Sequence, residues 1–153
     1  MEISIITICN KKDNNAESLV VRYISQIEKF YKVSIINITF QTKKIKKNLY
    51  EKEYRKALSL IKPGSILIAL DESGSNYNST SFSKKMQHWI EEYSHIYFII
   101  GGPDGLSDEV KDKSGSILSL SKLTFPHQLA KVILIEQLYR SISIMNNHPY
   151  HRS

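Results

Sequence analysis

Cysteine is nearly absent from this chain. The single Cys9 leaves no partner for an intrachain disulfide and no thiolate set for a Cys-based zinc cluster. It follows an apolar, strand-like run and reads as a core or near-core residue. No apolar run is long enough to span a bilayer. The first residues, Met1 to Ile8, lack a basic leader region and a small-residue cleavage site. These absences lead to the expectation of a cytoplasmic protein. Neither an internal repeat nor a low-complexity segment is evident, and 153 residues suit one domain, 1–153, around one core. What the chain does have is positive charge. Lys and Arg number 21 against 15 Asp and Glu, for a formal charge of +6. That balance favours an anionic partner, with nucleic acid as the first expectation.

Apolar patterning alternates between two periods. Ile3–Ile8 and Val33–Phe40 read as strands. Between them Leu19, Val20, Tyr23, Ile27 and Phe30 recur at helical spacing. Lys43, Lys44, Lys46 and Lys47 form a basic loop, either a solvated face or a phosphate-attracting one. Leu49–Ile61 predicts a helix stopped by Pro63-Gly64, and Ser65–Leu70 a third strand buried on both sides. Asp71 to Asn76 reads as a polar loop; Asp71 and Glu72 are a carboxylate pair or a solvated turn. Ser79 or Thr80 can cap a helix to about Tyr93, in which Trp89 packs and His88 faces solvent. Ile96–Ile100 is a fourth strand, followed by a short helix near Ser107–Lys111, a short strand around Ile117–Leu120 and a helix from Pro126 to about Met145. In that last helix Leu129, Val132, Ile133, Leu138, Ile142 and Met145 are expected in the core. Apolar residues lie all round it, which suits burial by the domain on one side and a partner subunit on the other. Strands that are apolar throughout and alternate with helices imply an α/β fold, a mostly parallel sheet with helices on both faces.

Ligands of such sheets bind at the carboxyl ends of the strands. Three segments fall there. The first follows Leu70. The second, Gly101-Gly102-Pro103-Asp104-Gly105, has the wrong spacing for a dinucleotide fingerprint and lacks the Lys-Ser/Thr pair of a P-loop. It is either a tight turn or a wall of exposed backbone for a flat ligand. The third, Ser119 to His127, is too apolar for a simple surface loop. Its backbone groups can bond an adenine edge while Leu120, Leu123 and Phe125 enclose the ring; alternatively it is a buried connector, with His127 an idle first-turn residue.

The C-terminal residues Asn146-Asn147-His148-Pro149-Tyr150-His151-Arg152-Ser153 carry more chemistry than a frayed end needs. Histidine exchanges protons near neutrality, tyrosine stacks, and arginine grips phosphate. Arg140 stands four residues after Glu136, as in a helical ion pair, with an RNA phosphate contact as the alternative. No metal-ligand cluster is expected.

Several stretches together resemble the RlmH family, the ribosomal RNA large-subunit methyltransferases H. They are Leu70-Asp71-Glu72-Ser73-Gly74, Phe98 to Ser107, Leu118 to Leu129, Glu136-Gln137-Leu138-Tyr139-Arg140, and His148-Pro149-Tyr150-His151-Arg152. They occur in the family's order and the resemblance spans the chain. It implies a SPOUT-class α/β fold with a C-terminal trefoil knot, a homodimer, and S-adenosylmethionine as cofactor. The implied reaction is methylation of ring nitrogen 3 of a pseudouridine in 23S (large-subunit) rRNA, on the assembled 70S ribosome. The cofactor is then expected against Leu70, Gly101, Gly102 and the loop Leu120, Ser121, Lys122, Leu123, Thr124 and Phe125. Asn10-Lys11-Lys12 departs from the glycine-containing turn usual in the family.

Attack by an imide nitrogen requires loss of its proton. His151 is the candidate base, Tyr150 a stacking or hydrogen-bonding partner, and Arg152 a phosphate clamp or anion stabiliser. Arg140, His148 and Arg152 are candidate RNA contacts. Two other readings stand beside this one: a non-catalytic ribosome-assembly factor that binds rRNA, and an α/β enzyme acting on a small nucleotide.

Overall fold

The computed structural model describes residues 1–9, 16–40 and 50–152. The Lys43–Lys47 loop and the Asn10-Lys11-Lys12 turn lie outside the described residues. Among the described residues five strands form one sheet: β1 (Glu2–Cys9), β2 (Lys32–Thr39), β3 (Ser65–Asn76), β4 (His95–Ile100) and β5 (Ser116–Ser119). Their order is β2-β1-β4-β3-β5 and every pairing is parallel. The helices are α1 (Glu17–Ile27), α2 (Glu51–Ser59), α3 (Ser79–Glu92), α4 (Asp108–Lys113) and α5 (His127–Met145).

Period-2 geometry sorts the strand residues onto two faces. Ile3, Ile5, Ile66, Ile68, Ile96 and Phe98 pack with Val20 and Ile27 of α1, Phe82, Met86 and Trp89 of α3, and Leu134, Ile135 and Leu138 of α5. Ile6, Ile8, Leu67, Ala69, Tyr97 and Ile99 face the other way, against Tyr54 and Ala57 of α2 and Val110 of α4. Both faces are covered, which is why the strands read as unbroken apolar runs. Because all strands run one way, the segments after Leu70, Ile100 and Ser119 meet at one edge.

Four expectations need correction. Asp71 to Asn76 is not a loop; it continues β3 past a bulge, where Leu70 and Ser75 both pair with Leu118. The strand bends there instead of ending, as a bulge permits. Helix α3 is capped by Asn78, one residue earlier than expected, its side chain accepting from the Ser81 amide at 2.8 Å. Helix α1 ends at Ile27, short of the Phe30 that the spacing included, and Leu19 is 45% and Phe30 41% exposed. On α5, Leu129 is 48% exposed and Val132, Ile133 and Met145 are half-buried, whereas Leu138 and Ile142 are buried as expected. The apolar residues round α5 therefore exceed what one chain covers. His88 is exposed beside Glu92, and Trp89 is buried.

Candidate active site

The sheet's carboxyl edge carries a cavity of about 610 Å³. One wall is Leu70, Asp71 and Glu72 from β3. A second is the turn from Gly101 to Leu106 after β4. The third is the run from Leu118 to His127, with Leu120, Ser121, Leu123, Thr124 and Phe125, closed by Ala130 on α5. Of the nine cofactor candidates, the structure brings eight into this lining. Lys122 is exposed and stands outside it.

Each wall has a local cause. The Gly101–Leu106 turn closes on itself, with the Gly105 amide donating to the Gly102 carbonyl at 3.0 Å. Gly105 has φ +76°, open to glycine at no steric cost. A Cβ on Gly101 would lie 2.9 Å from the Gly105 carbonyl carbon, so the close approach also requires glycine. The third wall is held by its own serines. The Ser119 hydroxyl donates to the Ser121 carbonyl at 2.9 Å, and the Ser121 side chain accepts from the Leu123 amide at 3.0 Å. Asn76, on the extension of β3, donates to the Ser119 carbonyl at 3.0 Å. Thr124 donates to Glu72 at 3.3 Å, tying the first wall to the third.

Asp71 and Glu72 are thus neither an acid–base pair nor a free turn. Burial pushes the Asp71 carboxyl up, but hydrogen bonds from Ser73 and the Lys111 ammonium at 3.4 Å outweigh it and hold the group below its usual value. Asp71 stays ionised and Lys111 of α4 is anchored by it. The lining combines apolar Leu70, Leu106, Leu118, Leu120 and Phe125 with glycine backbone and hydroxyls. That mixture suits an adenosyl ligand: a flat heteroaromatic ring and a ribose. His127, the first residue of α5, lines the cavity instead of standing idle.

The tail is ordered by the end of α5. Asn147 takes a left-handed conformation, φ 53°, and the chain turns back: His148 N–H donates to the Ser143 carbonyl at 2.9 Å and Asn147 N–H to Ile144 at 3.2 Å. These two bonds make a Schellman motif, with Pro149 following it. The reversed chain lays Tyr150 on Tyr139, ring centroids 4.4 Å apart, and its hydroxyl donates to Glu136 at 3.0 Å. Arg140 donates through Nε to the same Glu136 oxygen at 3.0 Å, and its guanidinium lies 4.9 Å from the Tyr150 ring. The helical ion pair expected from spacing is therefore the anchor of the tail.

Arg140 also reaches His151 Nδ1 at 3.2 Å. Guanidinium can only donate, so Nδ1 accepts and the remaining ring proton sits on Nε2. In this arrangement the lone pair that a general base needs is occupied. Burial, with hydrogen bonds to Tyr23 and Glu136, raises the Tyr150 phenol above its ordinary value, keeping it a donor. The Glu136 hydrogen bond raises Arg140 and secures its charge. Arg152 and His148 are exposed; the His148 ring lies 6.4 Å from Tyr139.

The lining holds no tail residue among those described. Glu136, where the tail docks, lies six residues beyond Ala130, about 9 Å further along the helix. One chain thus presents two separate halves, a cavity and a tail. Tyr139 and Tyr23 belong to the second half and were not singled out for chemistry from sequence; as aromatic residues at helical spacing they carry only a packing signal. Among the described residues no group of three His, Cys, Asp or Glu is placed to hold a metal, and no helix is long and apolar enough to cross a membrane.

A family profile described as "Predicted SPOUT methyltransferase" matches residues 1–151. Proteins named ribosomal RNA large subunit methyltransferase H are similar over full length. The one from Acholeplasma laidlawii is 40% identical over 153 residues, 99% of this chain and all of that protein. That from Methylobacillus flagellatus is 35% identical, covering 99% of each chain. That from Acinetobacter baumannii is 37% identical, covering all of both. Among solved structures, a probable methylase family protein from Haemophilus influenzae superposes with a TM-score of 0.58 at 11% identity, over 99% of this chain and 70% of that one, a likeness of fold. With its parallel sheet, its strand-end cavity and full-length relatives at this identity, the chain belongs to the SPOUT methyltransferases, in the group of the ribosomal RNA large subunit methyltransferases H.

Proposed function

We propose that this protein transfers a methyl group from S-adenosylmethionine to ring nitrogen 3 of a pseudouridine in large-subunit rRNA, acting as a homodimer on the assembled ribosome. The observation that carries the reading is convergence. The three segments that resemble the family, after Leu70, after Ile100 and after Ser119, close round one cavity of about 610 Å³. The names of the full-length relatives supply the substrate class. The family's trefoil knot would lie where the chain runs from β4 through β5 to α5, the region that builds two of the three walls.

Bound S-adenosylmethionine supplies a methyl group already activated on sulfonium. The chain's residues have four tasks: to bind, to align, to exclude water and to manage the proton of the target nitrogen. Leu70, Leu120 and Phe125 exclude water, and the Gly101–Gly102 backbone supplies a flat wall. The tail supplies cations. Arg140 stabilises an imide anion as it forms, and exposed Arg152 holds phosphate. His151 can accept the imide proton at Nδ1 only after leaving Arg140, so substrate entry and tail rearrangement are coupled. His148 contributes RNA contact.

Because the tail docks about 9 Å from the cavity lining on its own chain, a second protomer completes the site. Leu129, Leu19 and Val21 are exposed, and Val132 and Ile133 are half-buried, on α1 and α5, which pack together. An apolar surface of that kind fits a subunit interface. The test is transfer of labelled methyl from S-adenosylmethionine to ribosomes lacking the modification, with the product nucleoside read by mass spectrometry, beside sedimentation of the free protein. Labelled N3-methylpseudouridine from a dimer is expected. Saturable rRNA binding with no methyl transfer would favour the assembly-factor reading.

A further inference from the structure

Tyr54 of α2 stands behind the glycine wall, 4% exposed. Its hydroxyl donates to the Gly105 carbonyl at 2.5 Å. Gly102 and Gly105 pair as an antiparallel bridge, so a phenol that holds Gly105 also bears on the arm paired with it. The Gly105–Gly102 bond and buried Leu106 fix the base of the turn, but its tip has little else to hold it. Pro103 and Asp104 are exposed, and nothing lies within 4 Å of the place a Gly105 Cβ would occupy. Behind Gly102 stands an aromatic layer. Tyr50 lies 4.6 Å from Phe40 and 6.3 Å from Tyr54, both edge-on, and a Cβ on Gly102 would meet the Phe40 and Tyr50 rings at 3.6 Å. The Tyr54 ring is therefore fixed in its own right and can act as a strut.

We propose that Tyr54 is a positioning residue for the cofactor wall: its phenol, bonded to the Gly105 arm of the Gly102–Gly105 turn, holds Gly101 and Gly102 in the shape that receives the ligand. The proposal rests on the methyltransferase reading of the cavity and goes beyond it by assigning a role to α2, which contributes no residue to the lining. A wall made of backbone binds well only if it is fixed before the ligand arrives, because ordering it on binding costs affinity. In a trans peptide the carbonyl and the following N–H point in opposite directions. Pinning the Gly105 carbonyl to α2 thus turns the Leu106 N–H away from α2. Burial pushes the phenol up to about 12, so it remains a donor throughout the neutral range.

The test is Tyr54→Phe, which keeps the ring and deletes the strut. Its control is Tyr97→Phe, the same chemical change at another buried tyrosine, 2% exposed and stacked on His95 rather than on the cavity. Calorimetric titration with S-adenosylmethionine should show a Kd raised about five- to tenfold in Tyr54→Phe, the range for one lost hydrogen bond, and unchanged in Tyr97→Phe. Amide exchange without ligand should quicken across 101–106 in Tyr54→Phe, with β4 unaltered. A Kd within about twofold of wild type, or unaltered exchange in the turn, overturns the positioning role, and so does an equal loss of affinity in both variants. Failure of the wild type itself to bind S-adenosylmethionine sinks the methyltransferase reading, and this role with it. Unaltered exchange beside normal wild-type binding overturns the strut alone.

Discussion

Replacing Glu136 with alanine should release the tail while leaving the domain folded. One carboxylate oxygen accepts from the Tyr150 hydroxyl at 3.0 Å and from Arg140 Nε at 3.0 Å, and Arg140 Nη2 is bonded to it as well. The two charged side chains are 24% and 17% exposed, a partly buried pair. An exposed helical pair would contribute about 0.5 kcal/mol, and partial burial raises that to about 1 kcal/mol. The Tyr150 hydroxyl bond adds about 1 kcal/mol. The Tyr150–Tyr139 ring contact and the Arg140 guanidinium over Tyr150 remain in the variant. Only the Tyr150 hydroxyl bond joins the tail to Glu136, so tail docking is weakened by about 1 kcal/mol, roughly a fivefold shift in its equilibrium. The pair itself lies on one helix, so its about 1 kcal/mol comes off global stability while the core beneath is untouched. Amide exchange at 148–152, read beside the thermal midpoint, separates the two effects. Protection of the tail equal to wild type would refute the anchor.

Other expectations follow from the same geometry. Leu123 is 71% exposed at the cavity mouth. Leu123→Arg should therefore change folding stability by less than about 0.5 kcal/mol while weakening S-adenosylmethionine binding at least about tenfold by calorimetry; undiminished binding would remove the 120–125 loop from the site. His95 is buried, its Nε2 2.7 Å from Ser4 Oγ, and burial lowers its pKa from 6.5. A depressed histidine binds fewer protons folded than unfolded, so its contribution is complete above pH 6.5 and is lost as pH falls from there through the folded value. Thermal midpoints should fall between pH 7 and pH 5, and less steeply in His95→Gln; equal slopes would exclude His95 as the cause. Phe98, fully buried between Trp89 and the sheet, should cost about 3–5 kcal/mol on truncation to alanine in urea titrations, and a cost below about 1 kcal/mol would mean that the core there refills.

The fold was legible because its signals are repeated. Five apolar runs, each bounded by polar or glycine-rich segments, leave few topologies other than a covered parallel sheet. The polar extension of β3 was not legible. Asp71-Glu72-Ser73-Gly74-Ser75-Asn76 has the composition of a loop, and it becomes strand only because β5 offers it a partner past the bulge. The ligand wall was legible from its position at a strand end and from the family resemblance, since the glycine spacing matched no fingerprint; Tyr54 was not. Nothing local marks a tyrosine on α2 as the partner of Gly105, 51 residues away. Exposure on α5 failed for a related reason. Periodicity reports how many apolar residues a helix has, not whether its own chain or another covers them.

Helix α5 is the element through which these parts act together. Its first turn closes the cavity with His127 and Ala130, its middle buries Leu134, Ile135 and Leu138 against the sheet, and Glu136 and Arg140 hold the tail. A rigid helix with a cavity at one end and a tail folded back on its middle cannot bring the two together by bending. The tail must either leave Glu136 and Arg140 or serve a neighbouring cavity. Arg140 settles which nitrogen is available meanwhile: while it donates to His151 Nδ1, that nitrogen has no free lone pair. Docking thus holds His151, the proposed base, in reserve. Glu136→Ala should accordingly change methyl transfer much more than it changes cofactor affinity, since the cavity walls do not depend on it. If the variant lost cofactor affinity by the same factor as transfer, the tail and the cavity would be one unit within a single chain, and the case for a second protomer would fall.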